Sequence, residues 1–166
     1  MGRRTLLSCK LVDCLLVSQS ENDRRILSVV HAAFLAAMPV YALVLWFARD
    51  SASVAAGRGD TLFWVLAGIG GAQYLIVERG GRRLLRLGRG PAEGRVRAYF
   101  LVRFAAAEAI GVFGLIAGFL GAAAWRVAAL LALGLFGLAL SRPTPTAWGQ
   151  ALEAAGYRPP SVAPSH

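Results

Sequence analysis

Glu108 stands in the stretch VRFAAAEAIGVFGLIAGF, residues 102–119, where every neighbour except Arg103 is apolar or small. A lone carboxyl in such company can hold and release a proton, or it can hydrogen-bond across a helix bundle. Little else in the chain is equipped for chemistry. No Ser–His–Asp set is visible, nothing resembles HExxH or GxGxxG, and His31 and His166 are the only histidines. Cys9 and Cys14 have no histidine near them in sequence, so no metal site is expected, and no cofactor motif stands out. The expected function is that of a small non-enzymatic membrane protein, structural or partner-interacting. The alternative is a proton- or ion-handling membrane element with Glu108 as its titratable group.

The elements that must position Glu108 follow from hydropathy. The 166 residues are 57% hydrophobic and only 16% charged, with a mean hydropathy of +0.55. A soluble domain carries about 25% charged residues. The charges here are segregated and leave four long apolar runs, expected as spans at about 27–47, 61–77, 98–121 and 124–141. About 18 or more apolar residues cross a ~30 Å hydrocarbon core as a helix. The fourth run, VAALLALGLFGLAL at 127–140, reaches that length only if residues 122–125 extend it past Arg126 or if Arg126 snorkels. Otherwise it is a re-entrant or interfacial segment.

Basic residues set the orientation. Fourteen lie before the first run, between the second and third, or after the fourth, against three (Arg49, Arg58 and Arg126) on the opposite side. The expected fold class is therefore all-α integral membrane. Four transmembrane helices form two antiparallel hairpins, N-in/C-in, with a cytoplasmic helical protrusion between helices two and three. The expected localisation is the bacterial cytoplasmic (inner) membrane, multi-pass. Cys9 and Cys14 then face the cytoplasm, where disulfides are disfavoured. Arginine outnumbers lysine seventeen to one, which reads as a GC-rich bacterial genome.

Local signals divide the chain further. Residues 1–20 are expected as an amphipathic or disordered tail, because Lys10 and Asp13 interrupt LLSCKLVDCLLV. The four-helix domain covers 21–142. Ser20-Glu21-Asn22-Asp23 has the spacing of a capping box ahead of the first helix. Pro91 suits the first position of the third helix. A C-terminal cytoplasmic tail, 143–166, carries a short surface helix at 145–155, started by Thr144-Pro145 and ended by Gly156. Trp148, Ala151, Leu152 and Ala155 share one face of it.

Glu108 lies about 15 Å into its helix from the cytoplasmic end, near the bilayer centre. An ionised group there is expensive, so it faces the bundle, is paired, or is protonated. Pro39 frees the Leu35 carbonyl at a similar depth, and a protonated Glu108 could donate to it. Arg103 is about 140° around the helix from Glu108 and nearer the surface. His31, Gln73 and Arg103 fall in one shallower layer, where a His–Gln–Arg cluster and three separate side chains are both open. Ala107, Gly111, Gly114, Gly118 and Gly121 form a small-residue stripe that lets a neighbouring backbone approach closely, with Gly134 and Gly137 as candidates to face it. The neighbour is either within the chain or in a homo-oligomer. Arg79, Arg82, Arg83 and Arg86 cluster just beyond the second run and suit anionic lipid headgroups, at about 1 kcal/mol per charge. Membrane lipids are thus the expected partners, with a homo-oligomer or a membrane protein partner also possible and no nucleic acid.

The segment Glu108-Ala109-Ile110-Gly111-Val112-Phe113-Gly114-Leu115-Ile116 resembles the second helix of rotary ATPase c subunits, the proteolipids. In those a glutamate ahead of a [YF]-G-L motif carries the translocated proton, which implies that role for Glu108. The chain departs from that family elsewhere. It lacks the dense alternating glycines, has a long arginine-rich loop in place of a short polar one, and has two extra spans. As a whole it resembles a group of uncharacterised bacterial four-span membrane proteins, on Arg103, Glu108 and Phe113-Gly114-Leu115 and on the tail Arg142-Pro143-Thr144-Pro145-Thr146. That resemblance implies architecture and no activity.

Overall fold

A computed structural model describes residues 3–48 and 58–157, with side chains from 21 to 48 and from 61 to 157. Arg49 and Arg158, which enter the charge bias, lie outside the described residues, as does His166. Every regular element described is an α-helix: α1 (Arg3–Ala48), α2 (Arg58–Leu87), α3 (Ala92–Phe119), α4 (Ala124–Leu140) and α5 (Pro145–Ala154).

Three segments are long and apolar enough to cross a membrane: Glu21–Ala48, Thr61–Leu87 and Ala92–Phe119. α4 has 17 residues, about 26 Å at 1.5 Å per residue, just short of the hydrocarbon thickness. It passes the same test only jointly with α5, across a 74° bend. The described chain therefore has three to four helices that suit a multi-pass membrane protein.

α1 departs from expectation at its start. It is 46 residues long and runs without a break through Ser20-Glu21-Asn22-Asp23, so those residues do not cap a helix. A cap needs a non-helical residue, and here the backbone is helical on both sides. Asp23 pairs across the bundle instead. Its carboxylate accepts from Arg97 Nη2 on α3, and Asp23 is buried. The helix also continues through Pro39.

α3 is the central element. It packs on α1, α2 and α4, whereas α1 and α2 scarcely touch each other. The first two helices are thus not a packed hairpin, and each leans on α3 instead. The direction of each packing can be read from its pairs. Asp23 meets Arg97, His31 meets Phe104, Met38 meets Gly111 and Leu45 meets Gly118, so α1 runs parallel to α3. Gly81 meets Tyr99, Glu78 meets Arg103 and Gly70 meets Ile110, so α2 is antiparallel to α3. α4 is antiparallel as well, since Gly137 meets Ala107 and Gly114 meets Leu130.

Helix ends obey local rules. Pro91 sits at the N-cap of α3, one position earlier than expected. At its other end Gly121 has φ +78, and the bonds Gly121 N–H to Gly118 and Ala122 N–H to Ala117 make a Schellman motif. Gly156, φ +79, closes α5 the same way, with Tyr157 N–H donating to Leu152. Thr144 Oγ1 accepts from Ala147 N–H at 3.2 Å, and Pro145 follows at the first helical position.

The apolar face of α5, expected to lie along the membrane surface, packs against the helix bundle. Trp148 stacks on Phe100 at 5.8 Å and 22°, and Ala151 and Ala155 are buried in the same cluster as Leu85, Val96 and Tyr99. The face is apolar because it covers the ends of α2 and α3.

Candidate functional site

The small-residue stripe is what lets the polar groups meet. A methyl group added at Gly134 would lie 3.0 Å from both the Ala107 carbonyl oxygen and the Gly111 nitrogen, and one at Gly137 would lie 3.1 Å from Ala107 Cβ. α3 and α4 therefore touch backbone to backbone. Met38 of α1 fills the remaining gap, with its thioether over Gly111 and its methyl 3.2 Å from the Cβ position of Gly134. Gly114 faces Leu130 and Leu131, and Gly118 faces Leu45. The stripe is thus covered by helices of the same chain, and a homo-oligomer would need another surface. Gly121 belongs to the turn after α3 rather than to the packed face.

This close approach brings α1 to Glu108. The Tyr41 hydroxyl donates to Glu108 Oε1 at 2.8 Å, and both residues are half-buried. Glu108 accepts from a side chain of α1 rather than donating to the Leu35 carbonyl. Tyr41 is one turn beyond the buried Met38, so the methionine's seat on the glycines sets the tyrosine's reach.

His31, Gln73 and Arg103 do not form one cluster. His31 is 6% exposed, its ring packs 5.1 Å from Phe104, and its Nε2 lies 2.8 Å from the Leu138 carbonyl oxygen. A carbonyl only accepts, so Nε2 carries the proton. The Leu138 carbonyl lies in the last turn of α4 and also accepts from Ser141 N–H at 3.0 Å. Gln73 is on α2, which barely touches α1, so it cannot meet His31. Arg103 turns to α2: Nη2 lies 3.3 Å from Glu78 Oε2, Nη1 donates to the Tyr99 hydroxyl at 3.2 Å, and the guanidinium lies 5.4 Å from the Tyr99 ring centre. Nothing in the local spacing marks Glu78 as its partner. The signal was there in antiparallel register, since Glu78 is the first charge after the second apolar run and Arg103 lies just inside the third.

Two further contacts join helix ends. Arg95 Nη1 donates to the Leu85 carbonyl at 2.5 Å, and Nη2 donates to the Ala155 carbonyl at 2.6 Å. One guanidinium thereby serves the C-terminal ends of α2 and α5, where carbonyls lack partners and the helix dipoles favour a cation. At the opposite end, Arg126 lies over the rings of Phe63 and Trp125, at 5.7 and 5.0 Å, a cation–π arrangement at the start of α4.

The four arginines of α2 divide into two pairs. Arg82 and Arg86 line a cavity of about 470 Å³ between α2, α3 and α5, which Glu78, Tyr99, Arg103 and Gln150 also line. Arg79 and Arg83 are exposed outside it. Arg82 Nη2 donates to Glu78 Oε1 at 3.2 Å, so Glu78 is held from both sides. Among the described residues no three His, Cys, Asp or Glu side chains gather to hold a metal ion.

No family model, curated protein or solved structure matches the chain. The geometry has to carry the functional reading. What it offers is a half-buried carboxyl bonded between α1 and α3 midway along the bundle and a basic cavity where the apolar part of α2 ends.

Proposed function

We propose that the chain is a four-span, non-enzymatic protein of the bacterial inner membrane, with both ends cytoplasmic. It acts as a structural or partner-binding element whose arginine face on α2, formed by Arg79, Arg82, Arg83 and Arg86, engages anionic headgroups. The reading rests above all on one observation. The arginine-rich residues 79–97 lie together at one end of the antiparallel α2–α3 pair, just past their apolar stretches. A positive face at that level is attracted to anionic lipid over a Debye length of about 8 Å at physiological salt. The four-span architecture agrees with the resemblance to bacterial four-span proteins.

The orientation is checked by cysteine labelling in intact cells, with Cys9 and Cys14 replaced. A cysteine at the exposed Ala124, the first residue of α4, should react with an impermeant maleimide from the periplasm. One at the exposed Arg89, between α2 and α3, should react only after lysis. The opposite pattern would invert the topology and sink the reading.

A second reading is favoured by the Tyr41–Glu108 bond and the resemblance of residues 108–116 to proteolipids: Glu108 binds and releases a proton. Glu108→Gln keeps the acceptor for Tyr41 at similar volume, so stability should barely change. Glu108→Leu should cost about 0.6 kcal/mol and at most near 2. Infrared difference spectra in lipid, recorded across pH, should show a carboxyl band that is absent in Glu108→Gln. If wild type and Glu108→Gln give the same spectra throughout, Glu108 does not titrate and only the hydrogen bond remains.

A further inference from the structure

We propose that the cavity between α2, α3 and α5 is a seat for the phosphodiester headgroup of one anionic phospholipid, held by Arg82, Arg86 and Arg103. The proposal rests on the lipid-facing reading of α2 and gives it a defined site.

Charge is the first ground. Three arginines and one carboxylate line the cavity. Glu78 is shared by Arg82 and Arg103, at 3.2 and 3.3 Å, so its own charge is already compensated. Arg86 has no carboxylate partner among the described residues, and the wall stays positive. A zwitterionic headgroup would find no free carboxylate for its ammonium.

Unmet bonding capacity is the second. The Arg103 side chain is only 16% exposed and is held by Glu78 and Tyr99, so it lends its charge to the wall, and the open donors belong to the other two arginines. A guanidinium has five donors in a fixed fork and matches a phosphate on two edges. The Arg82 side chain, 72% exposed, and the exposed Arg86 keep such donors open to the cavity for a phosphate oxygen. The Tyr99 hydroxyl, which accepts from Arg103 Nη1, keeps its own proton to donate.

Position selects a lipid over a free phosphate. The cavity begins at Glu78, the first charge after the apolar run of α2. Leu75, 56% exposed, lies one turn before Glu78 and on the same face as Arg82. An acyl chain leaving the cavity toward the membrane would run over Leu75 and onto exposed apolar helix surface. α5 closes the cytoplasmic side, with Gln150 and Ala154 at the rim. Arg95 and the Trp148–Phe100 stack hold α5 there.

The test is native mass spectrometry of the purified full chain, released from nanodiscs made of equal parts phosphatidylglycerol and phosphatidylcholine. Wild type should retain one phosphatidylglycerol in preference to phosphatidylcholine. Gln150→Glu adds one negative charge at an exposed rim position and should weaken that retention about fivefold, the effect of one charge at this range. Ala154→Trp fills the mouth from an exposed position and should weaken it at least as much. Arg79→Gln with Arg83→Gln should strip only loosely held lipid and leave the single tight one. If both rim variants keep the tight lipid while the Arg79/Arg83 pair loses it, the cavity is not the seat, although the arginine face still binds lipid. If wild type shows no preference for phosphatidylglycerol, the lipid reading of α2 falls and the cavity proposal with it. Displacement of the lipid by an equal concentration of inorganic phosphate would overturn the assignment to a lipid.

Discussion

Gly134→Leu should be among the most damaging single substitutions in this chain. The Cβ position of Gly134 already lies 3.0 Å from the Ala107 carbonyl oxygen and the Gly111 nitrogen, both backbone atoms of α3. A side chain can rotate away from a clash, but a helix backbone must move as a body. Leucine would wedge α3 from α4 and push Met38 off Gly111, and the Tyr41–Glu108 bond depends on that seat. Overpacking of a tight interior costs about 1–3 kcal/mol and occasionally more, and backbone contact puts this site at the upper end. Gly134→Ala should fall between leucine and wild type. Gly80→Ala is the control: its Cβ position has nothing within 4 Å, and alanine favours a helix over glycine by about 1 kcal/mol. Thermal unfolding in detergent, followed by far-UV circular dichroism, reads all three. If Gly134→Leu melts with wild type, the backbone-level contact of α3 and α4 is wrong.

The second large effect is expected at Arg95. Its guanidinium joins the ends of α2 and α5, at 2.5 Å to Leu85 and 2.6 Å to Ala155. Arg95→Gln removes both charge-assisted bonds, each worth about 1.5–3 kcal/mol. The loss falls on a helix of ten residues, too short to hold itself together alone. α5 should then open locally far more often while α3 and α4 stay folded. Hydrogen exchange should speed up by about a hundredfold over residues 147–155, as a loss near 3 kcal/mol implies, and remain unchanged in residues 104–117. Arg95→Lys has a single ammonium and no fork, so it should recover one bond and give an intermediate rate. Equal exchange of α5 in wild type and Arg95→Gln would mean that Trp148 and its neighbours hold α5 unaided.

The two substitutions separate two kinds of coherence in the molecule. Gly134 lies where α1, α3 and α4 meet, and the contact there is steric. Arg95, with Asp23–Arg97 and Glu78–Arg103, belongs to a polar layer that joins α1, α2 and α5 to the first half of α3. A charge set this close to apolar helix surface is costly unless paired, and each of these charges has found a partner on a different helix. That is why α5, ten residues with a single buried tryptophan, stays docked.

What the sequence determined by itself follows from short-range physics. Long uncharged runs imply helices that suit a membrane, because an apolar stretch leaves no other way to satisfy its backbone. Pro91, Thr144-Pro145 and Gly156 marked helix ends because capping and positive φ depend on only a few neighbouring residues. The stripe Ala107–Gly111–Gly114 implied close packing, since small residues at that spacing leave a groove whatever fills it. The start of α1 was misjudged for the converse reason: a capping pattern is permissive, and the helical context on both sides overrode it. The tertiary structure alone decided which polar groups meet. Successive helical residues turn by 100°, so a partner depends on each helix's rotation and on which helices touch. α3 took the centre, and α1 joined it in parallel without pairing with α2. That arrangement kept His31 from Gln73, turned Arg103 to Glu78, and brought Tyr41 to Glu108. It also set Arg82, Arg86 and Arg103 around one cavity, though they come from two helices whose spacing in sequence carries no sign of it.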